Sequence, residues 1–137
     1  MNRDIKFKAW IKKGCESKMG EVTLINLDEK YINYIICNKK KEIEIIGLAY
    51  FDEYELMQYT GIKDKNGVEI YEGDIVLIRI DKTNILHKTV VKFKHGAFIA
   101  DIIGDNDYIY LFHFGFNKDD FEVVGNIYEN HKLLEEK

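Results

Sequence analysis

The residue types best suited to hold a metal ion are four histidines, His87, His95, His113 and His131, and the carboxylates Asp101, Asp105 and Asp107. Zinc sites place histidines or cysteines at short, fixed spacings on one element, because the donors must converge on one cation. Here the histidines are scattered, with neither His-x-x-x-His nor a Cys/His cluster. Asp105-Asn106-Asp107 begins like a calcium loop, but Tyr110 and Phe116 stand where that loop places its glycine and its bidentate glutamate. A polar hairpin tip is the better expectation. No cofactor is expected, and a metal-dependent hydrolase built on these aspartates and histidines is the weakest of three functional readings.

Nucleophiles are equally sparse. Ser17 is the only serine and lacks a Gly-x-Ser-x-Gly frame, while Cys15 and Cys37 have no neighbouring base in sequence. Glycine-rich loops that cradle phosphates are absent. A constellation assembled from distant segments would leave no local signature, so the sequence leans against an enzyme without naming one.

Basic residues gather at Lys6, Lys8, Lys12 and Lys13, and again at Lys39, Lys40 and Lys41. A nucleic-acid backbone selects for such clusters. The net charge is −4, however, and the acidic excess lies in the second half of the chain. Solvated strand faces and a hairpin tip account for the lysines, and nucleic acid is not the favoured partner.

The elements that must position these groups are strands. Ile5, Phe7, Ala9 and Ile11 alternate with Lys6, Lys8, Trp10 and Lys12, the period of a half-buried strand. Residues 21–26, 31–37 and 42–46 are rich in β-branched and aromatic side chains and complete an N-terminal β-meander over residues 1–60. Within residues 52–59, Asp52-x-x-Glu55 would suit a helix cap, but strand through Leu56–Thr60 is preferred. Asn66-Gly67 and Gly73-Asp74 mark two turns. Strand-like runs follow at 75–80, 86–94, 97–103, 108–114 and 121–128, with turn signals between them, which predicts a small barrel or sandwich over residues 61–137. The tail from Glu129 allows one or two helical turns capped by Asn130. The expected class is therefore mainly β, with a β-rich α+β fold as the variant.

The run Tyr108–Phe114 is unusual because both faces of a strand there would be apolar: Tyr108, Tyr110, Phe112 and Phe114 against Ile109, Leu111 and His113. Water does not favour such a strand uncovered. The expectation is a central strand buried against the N-terminal part or a second subunit, with an aromatic platform for a partner as the alternative.

Composition bounds the rest. The chain has 137 residues, of which 46% are hydrophobic and 32% charged, enough to bury a core without staples. Charge is interleaved through the N-terminal residues, so no secretory signal is expected, and no run approaches a membrane-spanning length. Cys15 and Cys37 could form one bridge, but reduced thiols in the cytoplasm are the expectation. Abundant Ile, Lys, Asn and Tyr, with no Pro, point to an AT-rich coding genome.

The string Leu56-Met-Gln-Tyr-Thr-Gly-Ile-Lys-Asp-Lys-Asn-Gly-Val-Glu-Ile-Tyr-Glu-Gly-Asp-Ile-Val76 resembles the signature of the YopX family, small proteins of phages and prophages. The opening Ile5–Trp10 and the closing Val123–Asn130 are similar to that family's two ends, whereas His131 stands where many members have proline. The resemblance implies a β-rich N-terminal part followed by an SH3-like barrel, and a phage-encoded origin acting in the host cell. It supplies no activity and no catalytic residue. Its turns fit a structural purpose, with Asp64, Tyr71, Glu72 and Asp74 as the alternative, a binding surface on exposed loops. The leading functional expectation is a non-enzymatic protein–protein interaction module that also self-associates. A nucleic-acid binder using the barrel comes second.

Overall fold

The computed structural model describes residues 4–14, 17–80, 83–112 and 116–135. The chain is mainly β, built from two antiparallel sheets, and divides into two compact units. No helix among the described residues is long and apolar enough to cross a membrane.

The first unit spans Asp4–Gln58. It contains β1 (Phe7–Ile11), β2 (Lys18–Asn26), β3 (Tyr31–Cys37), β4 (Ile43–Tyr50) and the first part of β5 (Tyr54–Lys63). Their order is β4-β3-β2-β1-β5, so the meander is closed on one side by β5 returning along β1. Period two explains which residues enter the core: Ala9 and Ile11 of β1 pack with Ile32 and Tyr34 of β3 and Ala49 of β4. Ile5, expected on the same face, precedes the strand and is exposed. Residues 52–59 carry no helix: a turn ends at Glu53 and β5 takes up the chain from Tyr54.

Small residues around Tyr34 are a packing requirement. Tyr34 lies opposite Gly47 in the β3–β4 register and is buried. A Cβ on Gly47 would collide with the Tyr34 phenol, and one on Gly20 would sit 3.1 Å from its Cδ2. The glycines leave the lane in which the ring lies.

The second unit holds the described residues from Tyr59 onward. The remainder of β5 pairs with β6 (Glu69–Tyr71), with a register break where Gly61 adopts a φ of +90°. A separate sheet follows, made of β7 (Asp74–Arg79), β8 (Leu86–Lys94), β9 (Ala97–Ile102), β10 (Tyr108–Tyr110) and β11 (Phe121–Asn126) in the order β10-β9-β8-β7-β11. Ile70, Val76, Ile78, Val91, Ala100, Leu111 and Phe121 form its core. Among the described residues this sheet does not close on itself into a barrel, since β10 and β11 are separate edges.

The expected strand over 108–114 changes most. It ends at Tyr110, and β10 is an edge strand rather than a central one. Leu111 turns into the core while Phe112 is exposed; His113 and Phe114 lie outside the described residues. An apolar run on both faces was compatible with burial, but only pairing on both sides would have made the strand central.

Two short 3-10 helices complete the unit, Lys118–Asp120 and His131–Leu134. Asn130 does occupy the cap position of the second, but its side chain makes no cap hydrogen bond and instead accepts from the Asn126 backbone N–H at 3.1 Å.

Gly47→Ala is expected to destabilise the first unit by about 1–3 kcal/mol, the usual cost of forcing an extra carbon into a packed core. Urea unfolding followed by far-UV circular dichroism measures it, and Gly67→Ala, in an exposed turn with φ +80°, controls for backbone strain alone.

Candidate functional site

The aromatic side chains of β10 face away from the main core of the second unit. Register pairs Tyr108 with Asp101 and Tyr110 with Ile99, while Ile109 sits opposite the core residue Ala100. Tyr108 is half-buried, whereas Tyr110 and Phe112 are 45% and 62% exposed. The two phenol rings meet edge-on with centroids 5.8 Å apart, and His95 from the β8–β9 turn stands 6.1 Å from Tyr108. The Tyr108 phenol is held above its ordinary ionisation range, first by a hydrogen bond with Tyr110, then by repulsion from that phenolate and by Asp107.

A cavity of about 490 Å³ opens beside Tyr108, lined also by Lys92, Lys94, Asp101, Asp105 and Asp107, among others. Its charges are mixed. Lys92 pairs with Asp101 at 2.7 Å, and Asp107 accepts the Tyr108 backbone N–H at 2.8 Å. The three aspartates thus share one cavity, as the hairpin-tip reading implies, but the histidines are not gathered with them. His87 is half-buried on β8, His95 lies in a turn, His131 is exposed near the C-terminus, and His113 lies outside the described residues. Among the described residues no group of three or more His, Cys, Asp or Glu is arranged to hold a metal ion. Cys37 carries a free thiol at the end of β3, and Cys15 lies outside the described residues.

The second candidate surface is not a surface. Asp64 is fully buried: Oδ1 accepts the backbone N–H of Asn66 and Val68 at 2.8 and 2.9 Å, and Oδ2 accepts that of Val123 at 2.9 Å. Tyr71 is buried with its ring 5.5 Å from that of Tyr59. Asp74 is buried and accepts the Tyr71 N–H at 2.8 Å across a turn in which Gly73 has a φ of +85°. Of this group only Glu72 reaches solvent, and only in part. A partner cannot touch carboxylates already enclosed by backbone donors.

The family described as YopX protein matches residues 6–135. The chain belongs to the YopX family. Two solved structures share its architecture. Protein EF1440 from Enterococcus faecalis is 30% identical, with 97% of this chain and 99% of that one covered and a TM-score of 0.64. Protein yopX from Bacillus subtilis is 20% identical, with 93% and 96% covered and a TM-score of 0.60, which speaks for the fold alone. No curated protein matches.

The YopX string Leu56–Val76 therefore runs through β5, β6 and the start of β7, and its charged residues Asp64 and Asp74 hold turns together. A third buried carboxylate has the same task and lies outside that string. Asp120 Oδ2 accepts the Asn117 N–H at 3.0 Å in a capping box, while Oδ1 accepts from Nε and Nη2 of Arg79 at 3.1 and 3.0 Å. Reading the sequence missed it, because Asp119-Asp120 looked like an ordinary polar turn. The one available signal was Arg79, a lone arginine in an otherwise apolar strand that needs an anionic partner.

Asp64→Ala is expected to cost about 3–5 kcal/mol, because three backbone donors lose a charged acceptor. Chemical denaturation measures it; a loss below about 1 kcal/mol would contradict the assigned network. Tyr110→Phe removes the phenol responsible for the largest effect on Tyr108. Tyr108 should then ionise at lower pH than in the unaltered protein, which tyrosinate absorbance across an alkaline titration reads, with Tyr108→Phe identifying the signal.

Proposed function

We propose that this YopX-family chain is a non-enzymatic protein–protein interaction module, an accessory protein of a phage or prophage working in the host cytoplasm. The observation that carries the reading is exposed Tyr110, edge-on to half-buried Tyr108 in an edge strand of the second unit, with exposed Phe112 two residues further along the chain. Aromatic side chains bring large apolar contact area with few rotatable bonds, which is why they dominate binding hot spots. The mixed charges of the adjoining cavity, Lys92–Asp101, Lys94, Asp105 and Asp107, would form a polar rim around an inserted apolar side chain. The occupant is a segment of a host or phage protein presenting an apolar anchor with polar neighbours.

A nucleic-acid binder, stacking bases on Tyr108 and Tyr110 of an SH3-like second unit, is the alternative. The aromatic pair favours it. The three aspartates along the same cavity would repel phosphates, and in the first unit Lys12 is engaged by Glu55 at 2.9 Å and Lys13 by the Leu48 carbonyl. A metal-dependent hydrolase is not favoured: the three aspartates share a cavity, but among the described residues no three His, Cys, Asp or Glu are arranged to hold a metal ion.

The test is affinity purification of the tagged chain from phage-carrying host cells, in parallel with Tyr110→Ala/Phe112→Ala. A stoichiometric protein that accompanies the unaltered chain and is lost from the folded double variant is the expected result. Nuclease-sensitive absorbance in place of protein would promote the nucleic-acid reading. A protein retained equally by both would move the docking site elsewhere.

A further inference from the structure

The two sheets have four edge strands among the described residues: β4 and β6 in one, β10 and β11 in the other. An edge exposes backbone donors and acceptors to any strand that can pair with it, so soluble chains shorten, bend or charge their edges. β6 and β10 have three residues each, and β11 is broken by a register shift between Val123 and Gly125. Side chains go further and occupy backbone groups of these strands directly. Asp74 accepts the Tyr71 N–H of β6, Asp107 accepts the Tyr108 N–H of β10, and Asp64 accepts the Val123 N–H of β11.

β4 is the edge with most to protect. It is eight residues long with one charged residue, Glu44, and Ile43, Ile45 and Ile46 are 55%, 37% and 79% exposed. The Phe51 N–H donates to the Lys30 carbonyl at 3.0 Å, and the register with β3 runs unbroken from Tyr50 back to Ile45. Antiparallel residues bond inward alternately, so Tyr50, Leu48 and Ile46 turn their backbone groups away from β3. Three of those outward groups are already taken. Glu53 accepts the Tyr50 N–H through Oε1 at 2.9 Å and donates its own N–H to the Tyr50 carbonyl at 2.8 Å, and Lys13 donates to the Leu48 carbonyl. Neither side chain is loose: Glu53 is half-buried, and the Lys13 ammonium also lies 5.9 Å above the Tyr34 ring.

We infer that Lys13 and Glu53 close the β4 edge to strand addition, by a second copy of this chain or by any other extended segment, and that Asp74, Asp107 and Asp64 guard the shorter edges in the same way. An incoming strand needs an alternating row of free donors and acceptors. Between Ile46 and Tyr50, only the Ile46 groups and the Leu48 N–H remain free among the described residues. To pair further, a strand must displace a charged side chain, and hydrogen bonds with one ionised partner are about twice as strong as neutral ones. Self-association, expected from the sequence, then has to use side-chain surfaces rather than strand edges. The β4 caps involve none of the residues of the proposed partner site, so they stand or fall independently of it.

Sedimentation velocity and amide hydrogen exchange of the full chain test it, with circular dichroism showing the fold retained. In the unaltered chain the Ile46 and Leu48 N–H groups should exchange freely at every concentration. Lys13→Ala/Glu53→Ala removes both side-chain caps. It should strengthen self-association at least ten-fold and slow exchange at Ile46 and Leu48 as concentration rises, because those groups enter a new ladder. Lys13→Arg/Glu53→Gln keeps a donor and an acceptor in place and should behave as the unaltered chain. If the double alanine variant does not fold, Glu53→Ala against Glu53→Gln, which shed the same charge, makes the same comparison. Concentration-dependent protection of Ile46 and Leu48 in the unaltered chain would overturn the proposal. So would a folded, uncapped variant that associates no more than the unaltered chain, or arginine and glutamine replacements that associate as strongly as alanine.

Discussion

The second unit depends on a carboxylate enclosed by backbone N–H groups. Removing Asp64 from water is costly unless its oxygens find donors as good as water, and three main-chain N–H groups supply them. Two belong to its own turn, and the third belongs to Val123 in β11, far along the chain. The same oxygens therefore set the shape of a turn and the position of an edge strand. The Lys65 N–H donates to the Phe121 carbonyl at 3.0 Å and strengthens that join. Asp74 and Asp120 repeat the device at the entry to β7 and at the 3-10 turn before β11.

This arrangement suits a chain with no proline and, among the described residues, only short 3-10 helices. Without proline to stiffen a turn, side-chain acceptors choose among turn conformations. Asn66-Gly67 and Gly73 provide the backbone freedom, and Asp64 and Asp74 select one outcome from it. The family string Leu56–Val76 is thus an architectural element. Large apolar side chains exposed to solvent lie elsewhere, Tyr110 and Phe112 among them.

The edge strands β10 and β4 differ physically. β10 is too short to offer much backbone pairing, so what it presents is side chains: exposed Tyr110, and half-buried Tyr108 lining a cavity of mixed charge. β4 is eight residues long with exposed isoleucines, but part of its backbone is already engaged: Lys13 donates to the Leu48 carbonyl, and Glu53 both accepts the Tyr50 N–H and donates to the Tyr50 carbonyl.

By itself the sequence determined the strands and the turns. Period-two alternation marked β1, β-branched runs marked β3, β7 and β8 closely, and Asn66-Gly67 marked its turn, because these signals are local and depend on a few adjacent residues. Family membership was legible for the same reason, in a continuous string. What only the tertiary structure decided was neighbourhood. Whether an apolar run such as Tyr108–Leu111 is central or at an edge depends on which strands pair beside it, and whether Asp64 is a surface charge or a buried lock depends in part on a donor brought from Val123. Asp120 and Arg79 meet across 41 residues, and β4 is exposed because nothing in the first unit's sheet pairs beyond it. Burial and pairing are properties of the assembled chain, and no window of sequence contains both partners.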